Sequence, residues 1–238
     1  MIKNLLFDMD NTLYSSKNPI EKNMHKRMIT FIARFLNKTE AETAEQRRQK
    51  LPLYGTTLEW IMTEYGFSDT EAYFRFIHPD EEIDEVEFDP DLRPLLKDLS
   101  TAYHLSVLTN APAIHYERIL KHLRIFDLFD GIYGIEENKL HGKPEASSYL
   151  NAVRDKGFTV ENTLFLDDLP KYIKGYTALG GKAVLIDHEG RFSNLPLTEE
   201  APFARLQSVH ELPALLDKIN NPDASGAEKR RVLNPPHK

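Results

Sequence analysis

The chain has 238 residues, no cysteine and a formal net charge of −7. The missing thiols exclude disulfides, zinc-thiolate sites and cysteine nucleophiles. The acidic balance argues against a general nucleic-acid binder, while a small anionic ligand at a locally basic site stays open.

The first apolar run, Leu5-Leu6-Phe7, is short and bounded by polar residues, as a buried strand is. A strand that starts at Ile2 leaves no room for a targeting segment. No later run approaches a membrane span, so a cytoplasmic protein without a membrane partner is expected. From residue 17 to 87 helix formers dominate. Asn18-Pro19 opens a helix that sets Met24, Met28, Ile32 and Phe35 on one stripe. Thr39 with Glu42, and Ser68 with Glu71, match the capping box, and helical segments are expected near 40–50, 56–65 and 69–77. The acidic run Asp80 to Asp89 reads as a solvated return linker.

After this insert the pattern alternates. Apolar runs at Leu105 to Leu108, Leu164 to Leu166 and Ala183 to Ile186 read as strands, with a shorter one at Gly131 to Ile135. Between them, helical spacing unites Ile114, Ile119, Leu120 and Leu123, and then Ala146, Tyr149, Leu150 and Val153. A third helix follows Leu169 and ends at Gly180-Gly181. Strand–helix alternation predicts an α/β fold with a doubly wound parallel sheet. The expected division is a core of residues 1–16 and 88–220, a helical insert of 17–87, and a disordered polar tail of 221–238.

In such a sheet, ligands bind beyond the carboxyl ends of the strands. There stand Asp8 and Asp10, then Thr109 and Asn110, then Asp167 and Asp168, with Lys143 on a loop between the last two sets. Several carboxylates in one cleft repel unless a cation offsets them, and magnesium favours oxygen ligands of this kind. One Asp can then serve as a nucleophile toward phosphorus and a second as acid and base. Each pair alone has a blander reading: a turn, a strand end, a helix start, a cap. A calcium loop fails, because Leu13 and Pro19 stand where Gly and Glu are required, and no P-loop or G-x-G-x-x-G is present.

"DMDNTLY", "LTN", "GKP" and "LFLDD", in this order, resemble the four motifs of the haloacid dehalogenase superfamily on its phosphatase side. The resemblance implies a Rossmann-like core with a helical C1 cap, magnesium as cofactor and a small phosphorylated metabolite as substrate. It implies Asp8 as nucleophile and metal ligand, and Asp10 as acid/base with its backbone carbonyl on the metal. Thr109, Asn110, Lys143 and the backbone after Asp8, beginning at Met9, would hold the phosphate. Asp168 would bind the metal directly and Asp167 through water or as support. "LYGTTLEW", "TNAPAIHYERIL" and "IFDLFDGIYGIEE" resemble more narrowly the pyrimidine 5′-nucleotidase-like branch, which implies a nucleoside 5′-monophosphate. Tyr54, Thr56, Thr57 and His115 are then candidate specificity residues, with Tyr54 as a possible base-stacking group and Trp60 and Leu58 as cap core. A sugar-phosphate or phosphoglycolate phosphatase or mutase, and a silent phospho-ligand-binding module, are the alternatives.

Overall fold

The computed structural model describes residues 1–198 and 202–221. Six parallel strands form one sheet: β1 (Asn4–Phe7), β2 (His104–Leu108), β3 (Gly131–Tyr133), β4 (Thr163–Asp167), β5 (Lys182–Ile186) and β6 (Ala204–Leu206). Their spatial order is β3-β2-β1-β4-β5-β6, with every neighbouring pair parallel. The chain thus winds outward in both directions from β1, which is the doubly wound, Rossmann-like arrangement.

The strands read as apolar runs because both faces are covered. Leu5, Phe7, Val107, Leu166 and Val184 join one buried cluster, and Leu6, Leu108, Phe165, Ala183 and Leu185 the other. One polar thread crosses the centre: Ser106 Oγ donates to Asn4 Oδ1 (3.1 Å) and Asn4 Nδ2 to Thr163 Oγ1 (3.4 Å), so three buried polar groups satisfy one another. The helices between strands are α5 (Leu92–Leu99), α6 (Ala113–His122), α7 (Ala146–Arg154) and α8 (Pro170–Thr177), with α9 (Leu212–Asn220) last. β6 has no counterpart in the sequence reading.

Between β1 and α5 lie α1 (Ile20–Leu36), α2 (Glu40–Lys50), α3 (Thr57–Tyr65) and α4 (Thr70–Ile77). They enclose a third cluster built on Ile32, Leu58, Trp60, Ile61, Tyr73 and Phe74, which meets the rest of the molecule at Ile135. The Thr39–Glu42 capping box is formed. The second is not: Asp69, one residue beyond Ser68, accepts from Ala72 N (3.1 Å). Phe35 completes the stripe of α1 only at its rim, 41 % exposed and edge-on to Phe67, and Ala146 is exposed at the start of α7.

The acidic run departs most from expectation. Residues 80–85 form 3₁₀ turns, and Glu82 and Val86 are buried within what the charge pattern presents as a solvated linker. Of the tail, only Asn221 falls among the described residues. No described helix is long and apolar enough to cross a membrane.

Candidate active site

The parallel register sets the site. Phe7 is level with Leu166 on β4 and Val107 on β2, so the next residues, Asp8, Asp167 and Leu108, emerge side by side at the carboxyl edge. This is the point where the winding reverses. Asp8 N–H donates to Leu166 O (2.8 Å), which holds the chain in extended form one residue beyond the strand.

The buried Lys143 amine bridges two carboxylates, donating to Asp8 Oδ1 (2.6 Å) and Asp167 Oδ2 (2.7 Å). Burial penalises the ammonium, but Asp167 and Asp8 more than offset that and push it well above its usual value. Its loop is held by Asn110, whose Oδ1 accepts from Lys143 N (2.7 Å) and whose Nδ2 donates to Lys143 O (2.9 Å) and to the Tyr172 hydroxyl (3.1 Å). Gly142 permits this clamp, because a Cβ there would stand 2.5 Å from Asn110 Oδ1. Both amide donors of Asn110 are thus spent, one on the loop and one on Tyr172 of α8, while Thr109 Oγ1 accepts from Ala111 N (3.1 Å) and keeps its own proton available.

Asp8, Asp167 and Asp168 present carboxylate oxygens that all lie within 4.8 Å of one another. Burial, only partly countered by Lys143, pushes the Asp8 carboxyl up to about 7. Burial and then the charges of Asp167 and Asp8 push Asp168 up to about 9, and Asp167 is raised as well. Arg191 stands at 3.9 Å from Asp168 Oδ2, the outer limit of an ion pair. Three buried carboxylates against one close amine are short of positive charge. An oxygen-only, acid-rich donor set of this kind fits a hard divalent cation.

Asp10 is held differently. Its Oδ1 accepts from the Tyr14 hydroxyl and lies 2.9 Å from His115 Nε2. Burial opposes its charge, but His115 overcomes this and keeps the carboxyl below the ordinary range. His115 Nδ1 in turn lies 2.9 Å from Glu82 Oε2, which also meets His78 Nδ1 at 2.9 Å, while Glu82 Oε1 accepts from Arg118 (2.7 Å). Burial disfavours charge on the His115 ring, yet Asp10 and then Glu82 push it up to about 9. For His78, burial and the neighbouring His115 prevail and bring it down to about 4.

A cavity of about 350 Å³ opens above this edge, lined by Asp8, Asp10, Thr109, Asn110, Lys143 and Asp168 below and by the helical insert above. Thr56 and Thr57 line it. Tyr54 and His115 do not. Tyr54 donates to Glu64 (2.9 Å), beside the Trp60 indole that bonds the same carboxylate, and His115 lies beneath Asp10. Trp60 and Leu58 are core, as read. The Met9 side chain is core too, so only its backbone can serve a ligand. Glu82 and Arg47, which enters the cavity wall from α2, were not singled out in the sequence. The spacing of four between His78 and Glu82 was the one local signal for the former.

An all-parallel sheet with its acidic residues gathered at the carboxyl edge is a doubly wound α/β centre, and comparison assigns the family. Residues 2–179 match the pattern of the haloacid dehalogenase-like hydrolases, and the chain belongs to that family. It is 25 % identical over 233 residues to "Phosphate metabolism protein 8" of Saccharomyces cerevisiae, covering 90 % of this chain and 73 % of that one. Two solved structures share the fold. One is a HAD phosphatase from Thermococcus onnurineus, with a TM-score of 0.63 and 20 % identity over 90 % of this chain and 98 % of that chain. The other is a haloacid dehalogenase-like family hydrolase from Streptococcus pneumoniae, with a TM-score of 0.63 and 22 % identity over 90 % and 98 %.

Proposed function

We propose that this chain is a magnesium-dependent phosphomonoester hydrolase that works through an aspartyl-phosphate on Asp8. The observation that carries the reading is the buried Asp8–Lys143–Asp167 bridge with Asp168 beside it, at the reversal point of the sheet. Magnesium held by Asp8, Asp168 and the Asp10 carbonyl, with Asp167 in support, would neutralise charge on the transferring phosphoryl group. Lys143 orients Asp8 so that one carboxylate oxygen can attack phosphorus. The bond from phosphorus to the ester oxygen breaks, and that oxygen is protonated through Asp10, whose ionised carboxylate draws the proton from the charged His115 ring 2.9 Å away. Water then attacks the acyl phosphate, Asp10 takes its proton, and inorganic phosphate leaves with Asp8 restored. Tyr14 and His115 both hold Asp10 Oδ1, which leaves Oδ2 for this traffic. Thr109 and the backbone after Asp8, from Met9 on, would hold the phosphate, and Asn110 serves by fixing the Lys143 loop.

Residues 17–87 act as the cap that closes over the reacting group and excludes water. The substrate is a small phosphorylated metabolite in the reducing cytoplasm, which a chain without cysteine suits. A nucleoside 5′-monophosphate is favoured by the likeness of the cap stretch "LYGTTLEW" and by Tyr73, Phe74 and Tyr172 in the cavity wall. Hydrolysis of p-nitrophenyl phosphate with magnesium, with EDTA and in Asp8→Asn tests the reaction. Turnover confined to the first condition is expected, and equal rates in all three overturn the proposal.

A further inference from the structure

Five arginines are half-buried among the described residues; Arg93 pairs with Asp127 (2.6 Å), and Arg205 donates to the carbonyls of Ser193 (2.9 Å) and Leu195 (2.6 Å). Arg27 pairs with Glu85 (2.8 Å) and Arg118 with Glu82 (2.7 Å) and Asp80 (2.5 Å). Arg47, in the last turn of α2, pairs with no carboxylate among the described residues. Its Nε donates to the Thr57 hydroxyl (2.8 Å), and its two terminal nitrogens make no hydrogen bond among the described residues although the residue lines the cavity. A planar fork with free donors, anchored at Nε, is built to grip an oxyanion in bidentate fashion.

Two further nitrogen bases stand in the same wall. His25 on α1 and Lys171 on α8 line the same cavity, and neither has a carboxylate within ion-pair distance among the described residues. Lys171 Nζ rests 4.5 Å over the Tyr172 ring instead. Burial lowers His25 and the charge of Arg47 lowers it further, so the two groups sense each other. Burial also lowers Arg47. Arg47 and Thr57 belong to the helical insert that forms the upper wall, whereas Asp8, Lys143 and Asp168 line the floor, which sets the guanidinium apart from the scissile phosphate. Glu21, the one further carboxylate of the cavity wall, already accepts from Asn11 (2.9 Å). A desolvated cation without a counter-charge is costly unless a ligand supplies one.

We infer that Arg47, anchored by Thr57, is the receptor for a second anionic group on the substrate, so that the cavity selects phosphomonoesters bearing a carboxylate or another phosphate at the end remote from the reacting one. This rests on the phosphomonoesterase reading and narrows it. Among nucleotides it favours one with an acidic base over a neutral one.

Matched pairs isolate the group. Uridine and orotidine 5′-monophosphate differ by a carboxylate, as do glycerol 3-phosphate and 3-phosphoglycerate; fructose 6-phosphate and fructose 1,6-bisphosphate differ by a phosphate. Calorimetric Kd values are measured with magnesium in Asp8→Asn, which cannot turn the esters over, with and without Arg47→Gln and Arg47→Lys. The second anion is expected to tighten binding roughly tenfold or more in at least one pair, which identifies the carboxylate or the phosphate as the preferred group. Arg47→Gln should bring that ratio to about one, and Arg47→Lys, which keeps the charge but loses the fork, should retain part of it. Equal affinities within all pairs, or a ratio unchanged in Arg47→Gln, overturn the inference. Should Arg47→Gln fail to fold, Thr57→Val, which removes the Nε anchor, must lower the ratio. Discrimination that persists in a protein hydrolysing no ester would refute the phosphatase reading and leave this one standing.

Discussion

Replacing Glu82 by Gln removes one negative charge from a fully buried position and leaves the shape intact. Glu82 faces His115 and His78 at 2.9 Å through one oxygen and Arg118 at 2.7 Å through the other. Removing one partner of a buried ion pair costs about 3–5 kcal/mol, because the remaining charge is stranded. Arg118 keeps its contacts to Asp80 and to the carbonyls of His78 and Pro79 (3.1 Å each), which places the expected loss at the lower end, about 3 kcal/mol. For a chain of this size that lowers Tm by roughly 6–12 °C. Urea unfolding at neutral pH, followed by circular dichroism, measures it through the midpoint at constant m. Because His115 loses its brace against Asp10, kcat should fall while KM moves little. A stability change of about 0.5 kcal/mol or less, the ordinary result for a surface site, would refute the burial argument and restore the solvated-linker reading of this acidic run.

His78 supplies a pH signature. Its folded pKa of about 4 lies below the ordinary histidine value of 6.5, so the unfolded chain binds the proton first and stability falls as pH drops from 6.5 toward 4. Two and a half pH units correspond to about 3 kcal/mol, and His78→Gln should flatten this limb of a stability-against-pH curve. Lys143→Met strands two buried carboxylates, so it should abolish turnover and destabilise the metal-free protein by about 3–5 kcal/mol in urea. Magnesium at about a hundred times its Kd should stabilise the wild type by about 2.7 kcal/mol, and Asp168→Asn should erase the thermal shift that reports this.

The sheet was legible because strands buried on both faces write themselves as short apolar runs, and the residues just beyond them could be read off as Asp8, Thr109 and Asp167. β6 was not, since Ala204–Leu206 needs no apolar run. It lies at the sheet edge beside β5, where backbone pairing suffices. The capping box at Thr39 was legible because its partners are local. The fate of Glu82 was not, because Arg118 and His115 come from a helix 33 residues or more downstream and no local pattern announces them. Tyr54 misled for the same reason: an aromatic in a cap loop is equally suited to a substrate and to Glu64, and only the course of α3 decides between them.

Two buried networks meet at the loop after β1, and their charge balance separates their tasks. Around Asp10, the buried carboxylate of Glu82 and that of Asp10 face the cations of His115 and Arg118, so these four groups balance, with the exposed Asp80 meeting Arg118 from outside. That argues against a metal at His78, Glu82 and His115, although their ligand atoms lie within 4.8 Å of one another, because the Arg118 guanidinium already occupies Glu82. Around Asp8, three carboxylates share one close amine, and the surplus charge appears as raised carboxyls at Asp8 and Asp168. Only the second set gains from a divalent cation, while the first has its polar groups fixed in advance. The Asp8 side of the site is therefore completed by what binds there, and the Asp10 side by the fold itself, through a segment that returns from the helical insert.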